Sequence, residues 1–280
     1  MPIYRPTELQ EFLSSLGVTP KKVLSQNFLI DGNIVQKILA CATVTRGDIV
    51  LEIGPGPGVL TEALINKGVH VIAIERDDKL ADALKRFCNT DVKLHIYAED
   101  AMTFDYEGVL TPLLAPGQKV KVIANLPYHL TSAIVAKLVV MEPIIASLTL
   151  MVQDEVGRRF AAKAKEKDYS SFSLFLQLHA AVKYAFTVSA NCFYPAPKVA
   201  SAVVHLDLKP LPEIGDIEAF FKMTRTTFQQ RRKMMRSSLR ELYTPADVER
   251  ALIAIGLSHE SRPEELSGTQ FLALFKQLSH

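Results

Sequence analysis

Asn125-Leu126-Pro127-Tyr128 is the stretch of this sequence best equipped for chemistry. It follows residues 120–124, a mostly β-branched or small run that predicts a buried strand. Pro127 fixes its own φ and pushes Leu126 towards an extended conformation, so the strand should end in a rigid corner. Open α/β sheets place their ligands at such carboxyl ends. Asn125 offers a side-chain carbonyl acceptor, the corner offers backbone carbonyls, and Tyr128 offers a flat face. These groups suit an exocyclic amine such as N6 of adenine, whose lone pair is delocalised into the ring. Acceptors on its two hydrogens would draw the nitrogen towards a tetrahedral shape and localise that pair, while the aromatic face holds the base plane. Such catalysis works by preorganisation and positioning and needs no activated Ser or Cys. Taken alone, the tetrapeptide reads more readily as a strand-terminating turn whose Asn caps the next helix.

The rest of the chain changes that balance. Residues 50–53 read as a short buried strand, 54–58 as the loop Gly54-Pro55-Gly56-Pro57-Gly58, and 59–67 as a helix. Strand, glycine loop and helix form the first unit of a nucleotide-binding sheet, where glycines let the backbone approach a ligand. Val59 stands where a dinucleotide fold would place a third glycine, and Glu52 just before the loop suits a ligand carrying positive charge better than a pyrophosphate. Glycine turns after strands are common, so the loop alone also fits a plain turn. A second strand, 69–74, ends at Glu75, roughly twenty residues past the loop, where a carboxylate can take both hydroxyls of a ribose. Its other reading is a solvated member of Glu75-Arg76-Asp77-Asp78-Lys79. A third strand, 92–97, leads to Asp100, placed to accept the exocyclic amine of a bound adenine. Four strands thus bring Gly54, Glu75, Asp100 and Asn125 to one edge, and that coincidence is more specific than any member of it.

The elements that must position these residues can be read from periodicity. Thr7-Glu8-Leu9-Gln10 has capping-box spacing and opens a helix with Leu9, Phe12, Leu13 and Leu16 on one face, ending at Gly17. Ser25-Gln26-Asn27-Phe28-Leu29-Ile30-Asp31 precedes a helix over 33–42 and could be no more than its entry. After the fourth strand come a helix over 132–141, a strand over 148–152, a polar helix over 153–167 with a basic tail, and an apolar helix over 171–180. Strands over 185–193 and 201–208 should pair through Tyr194-Pro195-Ala196-Pro197. Lys209-Pro210-Leu211-Pro212 reads as a linker. Beyond it the chain is helical. The first of these helices carries Lys222, Arg225, Arg231, Arg232, Lys233, Arg236 and Arg240, with no acidic residue between Phe220 and Arg240. A run this one-sided points to phosphate more than to a merely solvated face, with Met234, Met235 and Leu239 as its apolar side.

Composition bounds the reading. A chain of 280 residues allows one or two domains with a substantial core, and a net charge of +2 favours no partner class. Cys41, Cys88 and Cys192 are far apart, which fits a reducing compartment and provides no metal site. No apolar run reaches membrane-spanning length and no signal-peptide pattern opens the chain, so a cytoplasmic protein with no membrane partner is expected.

Six segments together resemble the ribosomal RNA adenine N6,N6-dimethyltransferases, and most closely their bacterial small-subunit branch. They are Ser25 to Leu29, Leu51 to Gly58, Ile74-Glu75, Asp100-Ala101, Asn125 to Tyr128, and Phe193-x-Pro195-x-Pro197-Lys198-Val199-x-Ser201. The resemblance implies an α/β fold: a Rossmann-like, class I S-adenosylmethionine-dependent methyltransferase sheet in residues 1–209, with a smaller C-terminal all-helical RNA-binding domain in 210–280. It implies S-adenosyl-L-methionine as cofactor, contacted by Asn27, Leu29, Gly54, Glu75, Asp100 and Asn125. Asn125, Leu126, Pro127 and Tyr128 would receive the target adenine, and Phe193 would stack on the extruded base opposite Tyr128, since the target atom is unreachable inside a stack. The implied substrate is two adjacent adenines in a loop near the 3′ end of 16S rRNA, within the small ribosomal subunit or its precursor, met by a monomer without a metal. Ser25 replaces the family's usual glycine, Ala200 its usual acidic residue, and Asp154 a common lysine.

Three alternatives stay open at this level. A large-subunit resistance-type adenine methyltransferase would share the core. A non-catalytic assembly or transcription factor could use the same fold, although intact Asn125, Pro127 and Tyr128 speak against it. An NAD-dependent oxidoreductase is disfavoured by the glycine spacing and by the lack of an evident Tyr-Lys or His pair.

Overall fold

The computed structural model describes residues 3–19, 26–89 and 92–279. Its strands are β1 (Phe28–Leu29), β2 (Ile49–Ile53), β3 (His70–Ile74), β4 (Leu94–Tyr97), β5 (Val120–Asn125), β6 (Ile145–Gln153), β7 (Ala180–Val188), β8 (Phe193–Tyr194) and β9 (Ser201–Leu208). Seven of them form one sheet in the order β4-β3-β2-β5-β6-β9-β7. Strands β2 to β6 run parallel, and β9 is antiparallel to β6. Every residue of β2 is buried. That is what a parallel strand covered on both faces requires, and it explains why Ile49 to Ile53 reads as a continuous apolar run interrupted only by Glu52. Strand order reverses at β2, which has β3 on one side and β5 on the other. The carboxyl ends of β2 and β5 therefore flank the crevice where such sheets bind ligands.

The expected pairing of the strands over 185–193 and 201–208 is present, as neighbours β7 and β9, but the first strand ends earlier than expected. β7 ends at Val188, a 3-10 turn over Ala190–Cys192 comes next, and Phe193-Tyr194 leaves the large sheet. It pairs antiparallel with β1 instead, with Phe28 opposite Tyr194 and Leu29 opposite Phe193. The N-terminal helix runs Pro6–Ser15 with Arg5 as an N-cap that makes no side-chain capping hydrogen bond. Pro6 is pre-organised for the first helical position, so Thr7 lies inside the helix and the expected capping box is not made.

By contacts the chain divides into two compact units, Met1–Gly157 with Ala181–Lys209, and Arg158–Ala180 with Pro210–His280. The break after Lys209 coincides with the expected linker, whereas 158–180 groups with the helical unit. Two predicted helices are shorter than their patterns. The helix starting at Asp154 stops at Ala161, and Lys165 has φ 75°, outside the helical region. The basic helix also ends early: Ile217–Gln229 is helical, Arg231-Arg232-Lys233 is a turn, and a short helix resumes over Met235–Ser238. Gln230, at φ −130° and ψ 47°, breaks it. Around the turn, Phe220, Met223, Met235, Leu239, Phe271 and Leu274 form the core of the helical unit. Burying Met235 and Leu239 from a second helix sets that core against the continuation of the first.

A carboxyl group sits inside the sheet. Glu52 is 1 % exposed. The Thr61 hydroxyl donates to its Oε2 at 2.7 Å, and its Oε1 has no hydrogen-bond partner. Burial, reinforced by the Glu75 carboxylate, pushes the Glu52 carboxyl up to about 8. The folded chain thus keeps a proton that the unfolded chain releases near pH ~4.3. Stability held below that pH is lost as pH rises towards 8, by about 1.4 kcal/mol per unit. Glu52→Gln removes this dependence, so its melting temperature relative to wild type should rise between pH 5 and pH 8. A melting difference that is the same at both pH values would show Glu52 already ionised in the folded chain.

Candidate active site

The cleft at the carboxyl ends of the strands is lined by Asn27, Gly54, Glu75, Asp100 and the whole Asn125 to Tyr128 corner. Each residue arrives by a separate route. β2 delivers Gly54, whose backbone has φ 68° and whose missing Cβ would stand 3.5 Å from the Asn125 carbonyl. Gly56, at φ 56°, lies under the Phe28 ring, where a Cβ would come within 2.9 Å of ring carbons. Only glycine lets the loop pass beneath that ring.

Glu75 comes directly after β3 and is 7 % exposed, so it is not a solvated member of its charged run. Its Oε2 accepts the Gly56 amide and its Oε1 the Asp77 amide, both at 2.9 Å. Burial raises its pKa and those two amides pull it back. Asp100, after β4, accepts the Met102 amide at Oδ1 (2.8 Å), and Arg76 Nη1 lies 3.3 Å from its Oδ2. The two carboxylates expected for a ribose and an adenine amine therefore stand in one cleft, Glu75 with one amide on each oxygen and Asp100 with one amide and the Arg76 guanidinium.

Asn125 ends β5. Its Nδ2 donates to the Asn27 carbonyl at 3.0 Å. The next helix, Thr131–Val139, has Leu130 at its N-cap and no side-chain cap, so Asn125 does not serve as one. With the amide N–H committed to Asn27, the side-chain oxygen is the end left to accept. The Leu126 amide donates to Met151 O (3.2 Å), and the Pro127 carbonyl accepts from the Leu130 amide and the Thr131 hydroxyl. The Pro127 carbonyl is thus engaged, whereas the Leu126 carbonyl accepts no such loop or cap bond from the described residues. Tyr128 shares a 2.9 Å hydrogen bond with Ser201, which fixes its ring. Burial raises the Tyr128 pKa and the Ser201 bond opposes it, so the phenol stays neutral near pH 7.

Leu29 and Phe193 do not line the cleft. They face each other across the β1–β8 ladder and are buried in the core with Ile123, Met151 and Val203. Phe28, Arg76 and His129 do line it, and sequence reasoning did not single them out. Phe28 was hidden in an apolar run, whereas Arg76 sits directly after Glu75 at a strand end, a position that could have been read. Of the departures from the family pattern, Ser25 lies outside the described residues. The Ala200 carbonyl accepts the Asp154 amide at 3.0 Å, and the Asp154 carboxylate accepts the Tyr184 hydroxyl. A lysine at 154 could not accept that bond. Among the described residues no group of three or more His, Cys, Asp or Glu could hold a metal ion.

A family model described as ribosomal RNA adenine dimethylase matches residues 18–280. The chain belongs to the ribosomal RNA adenine dimethylase family. Its relatives include a protein of Protochlamydia amoebophila (strain UWE25) named ribosomal RNA small subunit methyltransferase A, 52% identical over 99% of this chain and 98% of that one. A Chlamydia abortus protein of the same name is 45% identical over 98% and 97%. Among solved structures, a dimethyladenosine transferase from Plasmodium falciparum superposes with a TM-score of 0.72 at 24% identity, covering 88% of this chain and 95% of that one. The 23S rRNA methyltransferase ErmE gives 0.71 at 26%, covering 91% and 100%.

This dimethylase is a methyltransferase with S-adenosyl-L-methionine as its cofactor. The cleft fits that molecule on its own chemistry. The side-chain-free backbone at Gly54 admits a ligand, and Gly56 lets the loop pass beneath Phe28 at the edge of the cleft. Glu75 offers acceptors for ribose hydroxyls and Asp100 an acceptor for an amine, and the acidic lining suits a cationic donor. Because Glu75 also accepts the Gly56 amide, Glu75→Ala should weaken S-adenosylmethionine binding by about 1–3 kcal/mol and lower the melting temperature of the ligand-free protein as well. Calorimetry showing unchanged affinity would remove Glu75 from the site.

Proposed function

We propose that this dimethylase places two methyl groups on N6 of each of two adjacent adenines in a loop near the 3′ end of 16S rRNA, in the small ribosomal subunit or its precursor. It does so as a cytoplasmic monomer in ribosome biogenesis, without a metal. The observation that carries the chemistry is the Asn125–Asn27 hydrogen bond, because it commits the donating end of Asn125 and leaves Oδ1 to accept, in a corner whose Leu126 and Pro127 also line the cleft. Choice of the small subunit is supported by relatives of that name at 44–52% identity, against 26% for the 23S enzyme. Among the described residues no helix is long and apolar enough to cross a membrane.

The mechanism is built from the chain's own groups. Glu75 and Asp100 bind the adenosine part of the cofactor, and Gly54 lets its remainder lie along the backbone. When bound, S-adenosylmethionine supplies an electrophilic methyl on a sulfonium. Asn125 Oδ1 and the Leu126 carbonyl accept the two N6 hydrogens, which localises the nitrogen lone pair and directs it into the cleft. Tyr128, held by Ser201, offers its face to the target base. Phe193 is proposed as the opposite face, and because it is buried, base entry has to bring it to the cleft. Charge is neutralised in the transfer, so a pocket poor in water favours it. The second methylation needs the same acceptors, with one N6 hydrogen replaced by a methyl group.

RNA docking falls to the helical residues 210–280. Here the structure corrects the expectation that Arg231, Arg232 and Lys233 all project freely. Arg231 donates to the Lys167 carbonyl (2.6 Å) and lies 3.8 Å from Glu264, and Arg236 is paired with Glu249. Lys222, Arg225, Arg232, Lys233 and Arg240 are exposed. These are the cations available to phosphate.

The direct test is to incubate the protein with labelled S-adenosylmethionine and either undermethylated small subunits or large-subunit RNA and to map the modified base. Label in large-subunit RNA instead would overturn the substrate assignment. Asn125→Ala should slow transfer on the order of 10²–10³-fold, the cost of one preorganised polar contact, and by more than it weakens cofactor binding through the lost bond to Asn27. Equal losses in binding and rate would count against its acting on N6. Replacing Arg232 and Lys233 with Gln should weaken subunit binding and flatten its salt dependence by up to about two units of slope. Cofactor affinity and folding should hardly change, since exposed substitutions cost little. A slope equal to wild type would move the docking surface elsewhere.

A further inference from the structure

The glycine loop has little side-chain bulk with which to brace itself. Three of its five residues are glycines at positive φ and two are prolines without an amide hydrogen. Its internal order comes from the Gly54 amide on Ile74 O, the Gly56 amide on Glu75 and the Gly58 amide on Pro55 O. All three bonds use amides. The Pro57 carbonyl instead meets a side chain, Arg86.

Arg86 lies in the 3-10 turn Leu84–Phe87. Its Nη2 donates to the Pro57 carbonyl and its Nη1 to the Ala83 carbonyl at 2.8 Å. The guanidinium carbon is 4.1 Å from the centroid of Phe87 and 4.6 Å from that of Phe12, a residue of the N-terminal helix. Two aromatic contacts and two carbonyls use most of what a planar, five-donor cation can offer. The same turn closes on the next glycine, for a Cβ at Gly58 would come within 2.6 Å of the Phe87 ring and 2.8 Å of Leu84.

The N-terminal helix is tied to this region at further points. Lys79 Nζ donates to the Gly17 carbonyl at 2.8 Å, and Leu9, Leu13 and Val18 pack with Leu80 and Phe28 in one cluster. Phe28 is the ring that covers Gly56, and the Asn27 before it receives the Asn125 amide. One guanidinium therefore joins the glycine loop beside the cofactor cleft, at Pro57, to the helix that packs with Phe28, at Phe12.

We infer that Arg86 is a positioning residue for the cofactor, holding the glycine loop and the N-terminal segment in one arrangement so that the cleft is formed before S-adenosylmethionine arrives. Arg86 touches neither cofactor nor substrate. Its contribution is preorganisation, and preorganisation is read as affinity. It should therefore appear in cofactor binding and leave the transfer step alone.

The inference rests on S-adenosylmethionine as cofactor, and calorimetry on the wild-type full chain tests that first. A wild type that does not bind S-adenosylmethionine removes the cofactor assignment itself. Given a binding wild type, Arg86→Ala should raise Kd for both S-adenosylmethionine and S-adenosylhomocysteine about tenfold. The KM for S-adenosylmethionine should rise in parallel, with kcat on small subunits within about twofold of wild type. Amide hydrogen exchange over 54–58 should quicken in the ligand-free protein. Arg86→Lys keeps the charge and a donor but loses the planar contact with two rings, so it should recover part of the affinity. It also serves if Arg86→Ala fails to fold. Phe12→Leu keeps the apolar packing and removes one ring. If both variants act through one arrangement, Phe12→Leu with Arg86→Ala should bind no more weakly than Arg86→Ala alone. A lowered melting temperature with unchanged Kd would make Arg86 a plain structural tether and overturn the inference. An equal fall in kcat would do the same, and so would strictly additive losses in the double variant.

Discussion

A single buried carboxylate holds this site together. Glu75 leaves the end of β3 and takes the Gly56 amide with one oxygen and the Asp77 amide with the other. Desolvating a carboxylate is costly, and two amide donors offset that cost only when the chain is held to meet it. The bond to Gly56 spans two strands. It pins the glycine loop after β2 to the carboxyl end of β3, and so determines where the cleft floor lies. The neighbouring strand carries a second buried acid, Glu52, whose pKa Glu75 helps to raise. Burial is the largest cause of both upward shifts, and the hydrogen bonds that each carboxyl accepts, from Thr61 on Glu52 and from the Asp77 and Gly56 amides on Glu75, oppose it.

The far wall of the cleft depends on an equally local choice. A primary amide has an accepting and a donating end, and at a strand terminus either could face a ligand. The Asn27 carbonyl takes the donating end of Asn125. That one bond connects the N-terminal segment to the central strand and also decides the polarity that an incoming amine meets. The segment is itself held in place by the two-residue ladder of β1 with β8. Leu29 and Phe193 are consequently buried as a cross-strand pair, away from the cleft, although the family pattern associates both with the ligands. Their backbone partners shape the site even while their side chains fill the core.

Much of this was legible in the sequence, and the exceptions share a cause. Strands β2, β3 and β5, the glycine loop and the residues after each strand could be read because a buried parallel strand must be apolar and a ligand-facing corner must be polar or small. The N-terminal boundary was missed because Pro6 starts the helix one residue before Thr7 could cap it. The helix over 153–167 was overextended because periodicity could not register the positive φ at Lys165. Phe193 was read as continuing β7, when a short turn diverts it to pair with β1. Each miss came from a turn, where one residue's conformation outweighs the pattern of ten.

The basic run shows why charge counted along a chain is not charge available to a partner. Seven cations from Lys222 to Arg240 look like one stripe when helical spacing is assumed. The helix breaks at Gln230 because Met235 and Leu239 must enter the core, and the break reorients the residues after it. Arg231 turns inward to the Lys167 carbonyl and Arg236 to Glu249, so both become part of the fold of the helical unit. Arg232 and Lys233, at the outside of the turn, inherit the exposure. A turn tip carrying two exposed cations can track an irregular phosphate backbone more closely than a straight helix face can. Folded RNA presents such a backbone, and it is read by shape more than by base edges. The same apolar demand that interrupts the helix therefore produces the geometry that RNA docking would use.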